Sequence, residues 1–253
     1  MAKMTFGELD NNKTVEAKVI TDETTALAAP VDSSAALAGP IGNFSSAGLD
    51  ADVALEDVRL PRINVLQKMS ELGDEPGYNA GDITFQKEVV VCPFGENLEI
   101  TFLNLRRQYR ENLPWGSDTE ARVVNTREEV FAAGGSLKFR APNEWVPIAH
   151  LTCLIKAPAN LPEEHEALFP LSFNGDLYAM AIWTVSSSAY TSVASTLMTA
   201  VTQFLRDGLW TANWELSVVK KAKDTKVYYV PTIKRRGNHT GDKLDYIKGL
   251  LGM

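Results

Sequence analysis

Between Asp176 and Arg236 the hydrophobic period of the chain changes twice, and that limits the folds open to it more than any other feature. Leu177, Ala179, Ala181 and Trp183 belong to a run of β character, DLYAMAIWTV, which Ser186-Ser187-Ser188 interrupts. From Ser192 the apolar residues Val193, Leu197, Val201 and Phe204/Leu205 recur at helical steps, the period of a helix with one buried face. The spacing predicts a helix over about 192–207, closed by Gly208 as the residue able to turn left-handed. Beyond it Trp214, Leu216 and Val218 alternate with polar neighbours. Lys223-Asp224-Thr225 supplies a polar turn, and Val227, Tyr229 and Pro231 restart the alternation on a returning strand.

Upstream, order is expected to begin near Leu60-Pro61-Arg62. The segment LPRINVLQKMSEL suits an extended lead turning into a short helix or turn, and Gly73, Pro76, Gly77, Asn79 and Gly81 mark a loop. Ile83 to Phe85 and Val89 to Val91 read as strands. Leu98, Ile100, Phe102 and Leu103 open a long strand that runs into Arg106-Arg107-Gln108-Tyr109-Arg110. EEVFAAGG reads as a helical turn stopped by Gly134-Gly135. WVPIAHLTCLIK, from Trp145 to Lys156, is apolar enough for a central strand, with Pro147 at its start or at a bulge. A short helix is expected around Lys243 to Leu251.

The net charge of −7 argues against a nucleic-acid partner until it is divided along the chain. Residues 1–57 hold ten Asp/Glu and three Lys/Arg, a balance of −7, so the remainder holds 22 of each sign (32 − 10 and 25 − 3). Residues 218–253 carry nine Lys/Arg against three Asp/Glu, a balance of +6. Charge is segregated, and the whole-chain isoelectric point is a poor guide to the partner. The N-terminal segment is rich in Ala, Thr, Ser, Asp and Gly with no sustained period. It cannot bury enough apolar surface to offset its ordering entropy, which predicts a flexible acidic arm over 1–57. That arm is either a solvated tail or an acidic segment that competes with nucleic acid for the basic surface or docks a partner.

Two cysteines without neighbouring metal ligands, Cys92 before Pro93 and Cys153 within HLTCLI, are expected to be reduced structural thiols. No apolar run reaches the roughly 20 residues that a membrane helix needs. The first residues carry no basic-then-apolar signal pattern, so no membrane partner and a cytoplasmic location are expected, the host cytoplasm if the chain is viral. His150, His165 and His239 sit apart on an apolar strand, in an acidic loop and in the basic end. No HExxH, GxSxG, Walker A or GxGxxG pattern occurs. No enzyme activity, metal or cofactor is expected, although dispersed carboxylates leave an alternative open.

The constellation with chemical content is aromatic rings interleaved with cations. Bases stack on Tyr, Trp and Phe at about 1–3 kcal/mol each, while Lys and Arg neutralise phosphates without reading sequence. The candidate phosphate contacts are Arg106, Arg107, Arg110, Lys220, Lys221, Lys223, Lys226, Lys234, Arg235 and Arg236. The candidate stacking rings are Tyr109, Trp115, Tyr228 or Tyr229, Trp210 and Trp214. Alternate side chains share a strand face, so one of Tyr228 and Tyr229 is outward and not both. Trp214, Leu216 and Val218 make one stripe, which predicts Trp214 in the core. The bland reading of the basic hairpin is a solvated turn.

A strand, one helix and a terminal hairpin build the second half of an OB barrel, and such barrels commonly hold single-stranded nucleic acid. The segment LPRINVLQKMSEL, the Gly-rich link with GDI, the late helix and the hairpin WELSVVKKAKDTKVYYVPTIK resemble the replication-associated single-stranded DNA-binding proteins of tailed bacteriophages. The resemblance spans roughly 58–236. It implies an OB-type barrel that coats transient single strands in replication and recombination, with other proteins of those processes and further copies of the chain as partners. Many such proteins end in an acidic tail, whereas this chain is acidic at its N-terminus and basic at its C-terminus. The expectation is thus a mainly β (α+β) fold, an OB-like Greek-key barrel with one main helix and insertions over 58–236. The disordered arm precedes it and a basic tail over 237–253 follows. A virion or assembly protein and a strand-annealing recombinase are the alternatives.

Overall fold

The computed structural model describes residues 60–70, 72, 75–114, 116–223 and 226–253. The expected arm over 1–57, Trp115 and the turn pair Asp224-Thr225 lie outside the described residues.

Two antiparallel sheets dominate. The smaller joins β1 (Ile63–Val65), β2 (Ile83–Phe85) and β3 (Val89–Cys92) in chain order. The larger is built from β4 (Asn97–Glu111), β5 (Val123–Val124), β6 (Trp145–Lys156), β7 (Leu171–Phe173), β8 (Asp176–Ser186), β9 (Ala212–Lys223) and β10 (Lys226–Asn238). Its order is β10-β9-β4-β6-β8-β7, with β5 paired to the end of β4. The protein is therefore mainly β with few helices, as the alternating and β-branched runs predicted.

β4 is the spine of this sheet because its 15 residues serve two partners in turn. Asn97 to Ile100 pair with Ser217 to Trp214 on β9, and from Ile100 onward the strand pairs with β6. A bulge between Phe102 and Asn104 leaves Leu103 without a counterpart on β6. The period-2 pattern puts Ile100 and Phe102, Leu151, Cys153 and Ile155, Ala179, Ala181 and Trp183, and Trp214, Leu216 and Val218 on one face. All are buried in a single apolar cluster, which also takes in Ile63, Ile83 and Phe85 of the smaller sheet. Phe102 and Trp214 meet edge-on at 6.2 Å between ring centroids, so Trp214 is core, as its stripe predicted.

One helical rod follows β8. It opens as a single turn, α2 (Ser187–Ala189), passes through a π turn (Tyr190–Ala194) and continues as α3 (Ser195–Gln203). Val193, Ala194, Leu197 and Ala200 face the core. The rod starts earlier than expected, at Ser187, and its serine and threonine hydroxyls bond back to carbonyls of the preceding turn. Ser192 Oγ donates to the Ser188 carbonyl at 3.0 Å, and Thr196 and Thr199 repeat the pattern. It also ends earlier, at Gln203. Gly208, with φ 118°, serves a different purpose: a Cβ there would lie 2.7 Å from the Trp210 indole nitrogen.

The far edges of the large sheet are tied through the segment around β1. The Ile182 amide donates to the Pro61 carbonyl at 2.8 Å, and Arg62 bridges Ile182 in parallel fashion. A few residues on, the Gln67 side chain takes the place of a strand. Its Nε2 donates to the Tyr229 carbonyl at 2.9 Å and its Oε1 accepts the Tyr229 amide at 3.0 Å.

Two smaller cores flank the main one. α4 (Asp242–Leu250) lays Ile247 against Leu103, Leu154, Tyr178, Met180 and Trp210 on the opposite face of the sheet, so residues 237–253 pack with the body. In the long β4–β6 connection α1 (Arg127–Ala132), capped by Thr126, closes Val130 over Tyr109 and Trp145.

Candidate nucleic-acid interface

The β9–β10 ladder sorts the basic hairpin onto two faces. Lys221 lies directly opposite Tyr228, and Lys223 opposite Lys226. Residues opposite each other in an antiparallel ladder point the same way, so these four share one face. The three lysines are exposed and Tyr228 is half-buried between them. Among the described residues no ion pair engages Lys220, Lys221, Lys223 or Lys226.

Lys220 projects from the other face, opposite Tyr229. Tyr229 is buried and meets Phe94 edge-on at 5.2 Å, which makes Tyr228 the outward ring of the pair. Trp210 and Trp214 are also buried. Further along β10 both arginines have acceptors, while no ion pair among the described residues engages Lys234. Lys234 faces Glu215, Arg235 donates to Asn238 Oδ1 at 2.6 Å, and the Arg236 Nε donates to a Glu215 carboxylate oxygen at 2.7 Å.

Arginines of the 106–110 run gather at the other end of β4, where they too divide. Arg106, Gln108 and Arg110 point outward by alternation, and Arg107 and Tyr109 point the opposite way. The outward row crosses three strands as Arg106, His150 and Thr184. Arg106 Nη2 donates to Asn125 Oδ1 at 2.8 Å, and His150 Nδ1 lies 3.0 Å from Thr184 Oγ1. Burial, reinforced by Arg106 and then Arg62, holds the His150 imidazole below its ordinary range, so it is neutral near pH 7.

Tyr109 is a correction to the stacking set. Its ring is 2% exposed, packed with Val130 and Trp145, and its hydroxyl accepts from Arg127 Nε at 3.0 Å. A base has no access to either face. The Tyr sits on the inward parity of β4, and the small core of the β4–β6 connection covers it. Trp115 lies outside the described residues.

The two groups are not one patch. At roughly 3.3 Å per residue, Arg106 lies on the order of 30 Å along β4 from Asn97, which is where β9 sets out toward the hairpin tip. Sequence reasoning missed three further residues. Arg62 is exposed beside Ile182, Arg127 reaches Tyr109, and Phe139 is 75% exposed with the Arg140 guanidinium 5.0 Å from its ring centre. The signal for Phe139 was present as Lys138-Phe139-Arg140, a ring between two cations. A cavity of about 640 Å³ beside β3 is lined by Asp82, Glu96, Glu99 and Lys156, a carboxylate-rich wall unsuited to phosphate.

Among the described residues no helix is long and apolar enough to cross a membrane, and no cluster of metal-ligating side chains occurs. No protein-family model, curated protein or solved structure matches the chain.

Proposed function

We propose that this protein binds single-stranded DNA without regard to sequence, using the exposed face of the β9–β10 hairpin. The observation that carries the reading is the alignment of Lys221, Lys223 and Lys226 around the outward ring of Tyr228. Three exposed cations can neutralise successive phosphates while the ring offers a flat surface to a base, and neither contact distinguishes one base from another. A separate polar row of Arg106, His150 and Thr184, with Arg62 beside it, crosses β4, β6 and β8 at the other end of β4.

The strand order supports the barrel half of this reading. Counting only the five long strands, the sheet reads 5-4-1-2-3 with a helix in the connection from the third to the fourth. A partly open Greek-key barrel of OB type has this arrangement once its third and fifth strands approach each other. Here the Pro61–Ile182 hydrogen bond and the Gln67–Tyr229 pair occupy the gap between them. By resemblance of pattern, the role is to coat single strands during replication or recombination.

A fluorescence titration of oligo-dT across a salt series tests the proposal. With about five phosphates neutralised, the logarithm of affinity falls against the logarithm of salt with a slope of about −3 to −4. Affinity that ignores salt, or that is equal for duplex and single strand, overturns it. A second reading, an assembly protein, is favoured by Val201 and Phe204, both exposed at the end of the α3 rod. It requires co-purification with particles and no affinity for oligo-dT.

A further inference from the structure

Two arginines converge on one tyrosine at the far end of β4, beside the β4–β6 connection. The Arg107 guanidinium lies over the Tyr109 ring, 5.4 Å from its centre, while Arg127 Nε donates to the hydroxyl of the same residue at 3.0 Å. Burial pushes the Tyr190 phenol up, and both cations, Arg107 before Arg127, oppose that rise. Among the described residues neither is in an ion pair, and both are exposed.

Like charges brought to one side chain repel, and neutral phenols do not cancel them. Each guanidinium has five N–H donors, and a single bond to a phenol leaves most of Arg127's set available. The backbone nearby is specialised as well. Tyr190 opens the π turn, and Ser187, three residues before it, adopts φ 51°, a left-handed conformation uncommon for serine. π turns and strained residues concentrate where a side chain must be held for function.

From this arrangement we infer that Arg107 and Arg127, converging on Tyr109, form a second phosphate-binding site, which takes a backbone phosphate of the bound single strand remote from the hairpin. The ligand class follows from the donors: planar forks match the paired oxygens of a phosphate. Tyr109 is the positioning residue, holding both arginines while making no contact with DNA itself. The inference rests on the proposed single-stranded DNA binding and adds a contact at the opposite end of β4. It predicts that the protein needs a long strand to reach full affinity.

The test is an oligo-dT length series with the full chain and the double variant Arg107→Gln/Arg127→Gln. Oligomers of about 4–6 nucleotides, held at the hairpin alone, should bind both proteins equally, and those of about 16 should bind the variant more weakly. The expected loss is about tenfold, the size of one charged hydrogen-bonded contact. The salt slope should become shallower by about 0.7 for the one phosphate lost. Because Arg127 touches a buried hydroxyl, Arg107→Gln alone is the control for folding. Its guanidinium only overlies a ring, and its loss should weaken long oligomers about threefold. Unchanged long-oligomer affinity and slope in both variants overturns the second site. If Lys221→Glu/Lys223→Glu/Lys226→Glu weakens binding of short and long oligomers alike in the same assay, the hairpin reading survives; if that variant also binds normally, the single-strand reading fails too.

Discussion

Tyr228 and Lys221 stand directly opposite one another on the same face of the β9–β10 ladder, with Lys223 and Lys226 as the next opposed pair. Strand pairing fixes the face on which the ring stands, and the exposed ammonium groups beside it are engaged by no ion pair among the described residues. Replacing Lys221, Lys223 and Lys226 together by Glu should weaken oligo-dT binding across all base compositions and make the salt slope shallower by about 2. Tyr228→Ala should cost about 1–3 kcal/mol of binding with little change in slope, because stacking is not a counter-ion effect. Titrations at several salt concentrations separate the two contributions.

Gln67 substitutes for a strand at the exposed edge of β10. Changing it to Ala strips the Tyr229 amide and carbonyl of their partners and lets the β1 segment swing away. The expected destabilisation is about 1–3 kcal/mol, read as a lower urea midpoint with an unchanged m-value.

Acid should destabilise the fold through His239. Its Nε2 lies 2.8 Å from Thr101 Oγ1, and burial, followed by the Lys243 ammonium, holds its pKa below the ordinary 6.5. Between that lowered value and 6.5 the unfolded chain carries a proton that the folded chain does not. Stability is therefore full above about pH 6.5 and declines as the pH falls through this window. His150, shifted the same way, adds to the slope. His239→Gln should flatten the decline in urea melts recorded from pH 7 to pH 5.

Both thiols should resist alkylation in the folded protein. Burial, then Glu96 and Asp82, pushes Cys92 up to about 11, and complete burial raises Cys153 further. Iodoacetamide at pH 8 should label neither until denaturant is added, since the thiolate is the reactive form.

What could be read from the sequence divides along a physical line. Period-2 and period-3.6 patterns are local, so the long strands, the stripe of Trp214, Leu216 and Val218, the buried helix face and the short C-terminal helix were all legible. Parity was legible too, but only once a reference point was known. Nothing in Arg106-Arg107-Gln108-Tyr109-Arg110 tells which member faces inward, and the answer comes from Leu151 and Ala149 across the ladder. Tyr109 was therefore misjudged, because the core that hides it is assembled from Val130 and Trp145, both distant in the chain. The Gln67–Tyr229 pair spans 162 positions and leaves no local trace. The three-serine interruption was read as a break and is instead the first turn of the rod, since the hydroxyls downstream bond back to preceding carbonyls.

The bulge in β4 gives that strand one residue of slack. Asn104 already pairs with Thr152 as though Leu103 were not there, so removing Leu103 would leave Arg106 and Arg107 on the sides they now occupy. A deletion elsewhere in the strand could be absorbed by straightening the same kink. Without it, losing any single residue would turn every side chain beyond that point inside out and exchange the two arginines' surroundings. The spine of the sheet thus holds a built-in tolerance to length change at the place where its two ends must keep different duties.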